Sequence, residues 1–168
     1  MVDGNNKDLP VLLIFFNRQV EPLRVVERIK DWKPSRIYLS CDGARRHVLA
    51  EKELVESIRS SVESAIDWPC DIRRNYSEHN LGCKNGVRSA LDWFFADVDY
   101  GVVLEDDCLP SYDFYEYCNY YLLKYKASDS IGMISGNNFD DRNGVYSQND
   151  FLSRYGFIWG WATWSNVW

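Results

Sequence analysis

Several things are scarce in this chain, and each scarcity excludes something. There are only two histidines, His47 and His79, so a histidine-rich metal site is ruled out. The five cysteines, at 41, 70, 83, 108 and 118, are odd in number and never fall in a CxxC spacing. Neither a disulfide framework nor a zinc site is written into them, and reduced structural thiols in a cytoplasmic protein are expected. No run approaches the roughly 18 apolar residues of a membrane span, and the opening "MVDGNNKD" is polar and acidic rather than a secretory leader. Basic residues are outnumbered, 19 against 25 acids. The net charge of -6 argues against nucleic acid as a partner, since an electrostatic binder of phosphate backbones is basic. A negatively charged small ligand would therefore need a local positive element, either a metal ion or a few placed arginines.

What is present is regular. The 168 residues suffice for one domain or most of one, and 46% are apolar, as in a globular chain. "PVLLIFFNR" (Pro10–Arg18) reads as a strand buried on both faces, followed by a helix that opens near Pro22 and carries Leu23, Val26 and Ile29. "RIYLSCDG" (Arg36–Gly43) is a second strand, and Val55, Ile58, Val62 and Ile66 mark the next helix. "PCDIRRNY" (Pro69–Tyr76) is a third strand. After the polar turn "SEHNLGCKNG" comes a helix with Val87, Ala90, Leu91, Phe94 and Phe95 on one face. "YGVVLEDD" is the fourth strand. Ser111 could cap a helix striped by Phe114, Tyr117, Cys118, Tyr121, Leu122 and Tyr125, and Ile131–Asn138 is a fifth strand. The remainder is aromatic and less periodic.

Strand and helix in strict succession predict an α/β domain, a Rossmann-like, mostly parallel sheet flanked by helices. In such sheets ligands gather beyond the carboxyl ends of the strands. Four groups fall at such ends: Asn17-Arg18, Asp42-Gly43, Glu105-Asp106-Asp107 and Gly136-Asn137-Asn138. The acidic trio is the most telling, because three adjacent carboxylates repel one another unless something positive holds them. A hard cation such as Mn²⁺ or Mg²⁺ takes oxygen ligands, commonly one or two carboxylates together with substrate phosphates. Alternation along an extended segment would send Glu105 and Asp107 to one side and Asp106 to the other.

The ordered pieces "LLIFFNR … YLSCDG … NLGCKNG … GVVLEDDCLPSYDFYEY … GWATW" resemble the GT-A glycosyltransferases, and most closely bacterial members related to the N-acetylglucosaminyltransferase I type. There an Glu-Asp-Asp version of the DxD motif leads into a Phe/Tyr-rich helix. The resemblance covers nearly the whole chain as a single domain over 1–168. It implies a donor-binding core over about 10–138 and an incomplete, truncated acceptor-side segment over 139–168.

It further implies a metal-dependent, inverting transfer of sugar from a nucleotide diphosphate sugar, a UDP-sugar favoured, to a glycan or other hydroxyl acceptor. Asp107 would be the metal ligand. Glu105 would bond the ribose hydroxyls, and Asp106 would lie by the donor sugar or ribose. Arg18 and Asp42 would hold the base, with Arg18 orienting the Asp42 carboxylate toward an imide N–H. His79 matches a histidine near the nucleotide. Gly160 and Trp161 belong to a Gly-Trp segment near the donor sugar. The catalytic base would lie beyond Trp168, and Asp140, Asp141 and Asp150 take no role.

Other cations, Lys84, Arg88, Arg45 and Arg46, could face phosphate or simply be solvated. The tryptophan-rich "FIWGWATWSNVW" could pack into the core, stack on sugar, or pair two chains as a dimer edge. Alternative readings are a sugar nucleotidyltransferase, which calls for a Gly-rich basic loop after the first strand where this chain has "FFNRQVEPLR". A metal-dependent phosphatase or nuclease, and a non-catalytic sugar- or protein-binding module built on the tryptophans, complete the alternatives.

Overall fold

A computed structural model describes residues 9–137 and 150–168. Six strands and four helices follow in the order β1 (Val11–Phe15), α1 (Glu21–Trp32), β2 (Arg36–Cys41), α2 (Glu51–Ser64), β3 (Asp71–Tyr76), α3 (Gly82–Phe95), β4 (Tyr100–Glu105), α4 (Phe114–Lys124), β5 (Ile134–Ser135) and β6 (Trp161–Trp164). They form one sheet in the order β3-β2-β1-β4-β6-β5. The first four of these strands are parallel, and β6 lies antiparallel to both β4 and β5. The expected α/β class with a mostly parallel sheet is what the chain adopts.

Alternation along β1 explains the two layers. Val11, Leu13 and Phe15 face a core shared with α1, α2 and α4, whereas Leu12 faces a smaller cluster with Ala90, Leu91 and Phe94 of α3. Leu12, Leu13 and Phe94 are fully buried; each such side chain contributes roughly 1.5–3 kcal/mol of burial energy. Among the described residues α3 is the one helix on its face. Its contact with β4 requires Gly101, where an added Cβ would overlap the Phe94 ring.

The strand order doubles back between β1 and β4: the chain runs outward through β2 and β3, then returns by α3 to β4 on the other side of β1. That reversal is the topological switch point where α/β sheets bind ligands. Asn17-Arg18 ends β1 and the acidic trio ends β4, the two neighbouring strands at this point.

Three expectations need correction. The "WATW" segment is a strand, inserted antiparallel beside β4, with all four residues buried. Period-two reading missed it because a strand covered on both faces shows no alternation. The fifth strand shrinks from Ile131–Asn138 to Ile134–Ser135. The helix after the trio starts at Phe114 with Asp113 before it and no side-chain cap, so Ser111 does not cap it. Asn138, Asp140, Asp141 and the expected domain boundary at 138/139 lie outside the described residues.

Candidate functional site

A cleft of about 380 Å³ opens over the carboxyl ends of β1, β2, β3 and β4, on the face that α3 only partly covers. Its floor is a transverse row of residues in register: Asn75, Ser40, Ile14 and Glu105. Three interstrand spacings make this row roughly 14 Å long. One end is rich in charge, with Arg18, Glu105, Asp106 and Asp107; the other is hydrogen-bonding, with Asn75, Ser77 and Asn80 beside the Asp42 carboxylate.

At the charged end, β4 stops at Glu105, and Asp106 and Asp107 occupy a turn. Period-two alternation lapses there. Both aspartates turn toward β1, where Arg18 Nη1 donates to Asp106 Oδ1 at 2.6 Å and to Asp107 Oδ2 at 2.7 Å. The positive partner that the trio calls for is thus supplied in part by the chain itself. One cation is already built in, and three acids less one arginine leave two negative charges.

The expected Arg18–Asp42 pairing is also absent among the contacts of either residue. Asp106 has a side chain 13% exposed, against 56% for Asp107. Burial, opposed by Arg18, raises the Asp106 carboxyl above its usual range. Glu105 is raised as well, by burial and then by the charges of Asp107 and Asp106.

Asp42, at the end of β2, does a different job from the one expected. Its carboxylate accepts from the backbone N–H of Gly43 (2.8 Å), Leu81 (2.8 Å) and Gly82 (3.0 Å) and from Asn80 Nδ2 (3.0 Å). Helix α3 begins without a side-chain cap of its own, so an acid almost forty residues earlier supplies one. With its lone pairs so engaged, Asp42 shapes the wall of the cleft. Gly43 makes this possible: a Cβ there would lie 2.5 Å from the His79 carbonyl carbon, so no larger residue fits against that turn.

The cleft thus brings together Arg18, Asp42, Glu105, Asp106 and Asp107. His79 is exposed and does not line it. Gly160 is buried, at φ +76° against Leu104 and Phe114, and lines neither cavity. Trp161 lines a larger neighbouring cavity that meets the cleft at Ile14, Val87 and Glu105. Lys84 and Arg88 are exposed on α3, and the N-terminal end of that helix is occupied by Asp42. Trp164 is buried, while Trp159 is 62% and Trp168 49% exposed. Trp168 donates to Asp92 at 2.8 Å.

Sequence reasoning missed three residues here. Glu51, 3% exposed, accepts from Asn17 Nδ2 (3.0 Å), the Arg45 backbone N–H (2.7 Å) and the Arg45 guanidinium, which it ties to the end of β1. The Arg45 guanidinium, with lesser help from Asn17, holds its carboxyl at about 2. Nothing in the sequence distinguishes Glu51 from its neighbours on α2. Asn75 and Asn80 were accessible: Asn75 sits at the end of β3, a strand end that the four expected groups omit.

Among the described residues no group of three or more His, Cys, Asp or Glu side chains is placed to hold a metal ion unaided. No described helix is long and apolar enough to cross a membrane.

No protein-family model matches the chain, and no curated protein does. Among solved structures it is similar to a cytidylyltransferase from Leptospira borgpetersenii serovar Hardjo-bovis, at 9% identity and TM-score 0.52, over 95% of this chain and 61% of that one. It is also similar to 4-diphosphocytidyl-2C-methyl-D-erythritol synthase from Anaerococcus prevotii, at 11% identity and TM-score 0.50, over 95% and 73%. Neither is named as a glycosyltransferase. The chain has the α/β, mostly parallel-sheet fold that these two enzymes share with it.

Proposed function

We propose that this chain is the donor-binding part of a transferase that handles a nucleotide-activated sugar, and that it passes the sugar from a nucleotide diphosphate sugar to a hydroxyl acceptor. The observation that carries the reading is the polarity of the cleft. One end holds three acids and one arginine, a residual charge of minus two, and the other end presents amide and hydroxyl groups around the Asp42 carboxylate, whose lone pairs are taken by Gly43, Asn80, Leu81 and Gly82. A divalent cation matches that residue of charge, and carboxylate oxygens are the donors a hard cation takes.

Asp107, the most exposed of the two aspartates on Arg18, would hold Mn²⁺ or Mg²⁺, with phosphate oxygens completing the shell. Such an ion neutralises the departing diphosphate. Glu105, on the cleft floor, would accept from the ribose hydroxyls, and Asp106 would face the sugar. Arg18 keeps the two aspartates together and would be free to follow the diphosphate.

A second reading, sugar nucleotidyl transfer, is favoured by the two structural neighbours and is the one that their names support better. Against it stands the segment between β1 and α1. Phe16–Val20 contains no glycine, and its one cation, Arg18, is held by carboxylates rather than by an open phosphate loop. The end of α3 is likewise filled by Asp42. A tryptophan-based binding module is less well supported, because Trp161 and Trp164 are buried strand residues.

One pair of assays separates the two enzymes. With Mn²⁺ and a panel of UDP-sugars, release of UDP in the presence of glycan acceptors supports glycosyl transfer. Release of pyrophosphate from CTP or UTP with a sugar 1-phosphate, and no UDP release, replaces it with nucleotidyl transfer.

A further inference from the structure

We propose that the Asn75 carboxamide selects the nucleobase of the nucleotide and that Asn80 provides a fixed acceptor beside it; this rests on the nucleotide-binding reading of the cleft. The direction of the ligand follows from electrostatics. A nucleoside diphosphate is charged at one end and neutral at the other, and in the cleft the arginine and the carboxylates open to a cation lie at one end, while the one carboxylate at the other, Asp42, is already hydrogen-bonded by the chain. Its phosphates belong with the acid, arginine and cation end, which sends the base along the floor toward Asn75, Ser77 and Asn80.

Asp42, the carboxylate that sequence reasoning gives to the base, already accepts four bonds from Gly43, Asn80, Leu81 and Gly82. A carboxylate offers about four lone-pair sites, so little remains for a ligand.

The orientation of Asn80 is settled by its partners. Its Nδ2 donates to Asp42 Oδ2 at 3.0 Å and to the Gly43 carbonyl at 2.8 Å. Both partners are pure acceptors, so the nitrogen must face them. Asn80 Oδ1 is thereby committed as an acceptor, and a base at this end must offer an N–H.

Asn75 is different. It lies in register with Ser40, on the cleft floor, and its backbone carbonyl accepts from Ser40 Oγ at 3.4 Å. The side-chain amide makes no hydrogen bond to any described residue. It can present a donor and an acceptor side by side, which is the complement of a base edge. A site that hydrogen-bonds its ligand discriminates far better than one that only encloses it, because the wrong ligand leaves polar groups unpaired.

The test is calorimetric titration of the full chain with UDP, CDP, GDP and ADP, each with Mn²⁺, in wild type, Asn75→Ala and Asn75→Asp. The side chain of Asn75 supports nothing else, so both variants should melt close to wild type. In Asn75→Ala the advantage of the preferred nucleotide over the next should fall by about five- to tenfold, the scale of one or two hydrogen bonds. In Asn75→Asp the preference should move away from uracil and toward cytosine, adenine and guanine, whose edges carry amino donors.

A uniform change across all four nucleotides, or none, while wild type binds them, overturns the role of Asn75 and leaves the nucleotide site standing. If wild type binds none of the four, the proposed function fails and takes this inference with it.

Discussion

Arg18→Ala should change two affinities in opposite directions, and the sizes can be worked from the geometry. The guanidinium sits 2.6 Å from Asp106 and 2.7 Å from Asp107, with its own side chain 48% exposed. Exposed pairs of this kind are worth roughly 0.2–1 kcal/mol each, so two together give about 0.4–2 kcal/mol. If Arg18 occupies the ground that a cation would take, deleting it removes a competitor of that size and makes the site one unit more negative. At about 1.4 kcal/mol per decade, Mn²⁺ without nucleotide should bind about two- to thirtyfold more tightly.

The gain should shrink as salt is raised, since the site is half open to solvent. UDP, by contrast, should bind less tightly to the variant in the presence of Mn²⁺. Arg18→Lys should fall between, because it keeps the charge but not the fork that spans two carboxylates. Free Mn²⁺ measured by electron paramagnetic resonance during titration reads the first affinity directly. Mn²⁺ binding that is unchanged or weaker in Arg18→Ala would refute the reasoning.

Other substitutions test other parts of the site. Glu105→Gln should raise the melting temperature at pH 7 while weakening nucleotide binding. The carboxyl is raised by burial and by its neighbours, so its cost to folding is present at neutral pH. That cost fades as pH falls through the folded value toward the ordinary one, and the variant's advantage should fade with it in pH-dependent melts.

Asp42→Ala should cost about 1–2 kcal/mol through loss of the α3 cap, read as a lower melting temperature with or without nucleotide. A binding defect with no stability change would return Asp42 to the base. Glu51→Gln should lower the melting temperature at pH 7 and loosen Arg45. The carboxyl of Glu51 is held at about 2 against an ordinary 4.5. Its contribution is therefore complete above 4.5 and lost as pH falls toward 2, where wild type and variant should converge.

How much could be read before the structure divides along physical lines. Helix period and the apolar runs located β1, β2, β4 and the four helices to within a few residues, because each buries one face or one uninterrupted stretch; β3, with no buried residue, followed from its place in the strand-helix succession. β6 escaped because Trp161–Trp164 is buried on both sides and too short to be told from an aromatic loop. Positions at strand ends were legible, which is why Arg18, Asp42 and the trio do meet in one cleft. Their pairings were not. Whether Arg18 turns to Asp42 or to Asp106 depends on strand order, and β1 lies between β2 and β4 with both within reach. Likewise three of the four donors on Asp42 come from a turn almost forty residues on, a contact that no local pattern encodes.

The central claim is that the cleft binds a nucleoside diphosphate together with a divalent cation held by Asp107. Calorimetry with UDP, with and without Mn²⁺, in wild type and Asp107→Ala measures it in one set of titrations. UDP binding that depends on Mn²⁺ and is lost in Asp107→Ala is the predicted result; UDP binding indifferent to both the metal and the substitution, or no binding at all, contradicts it.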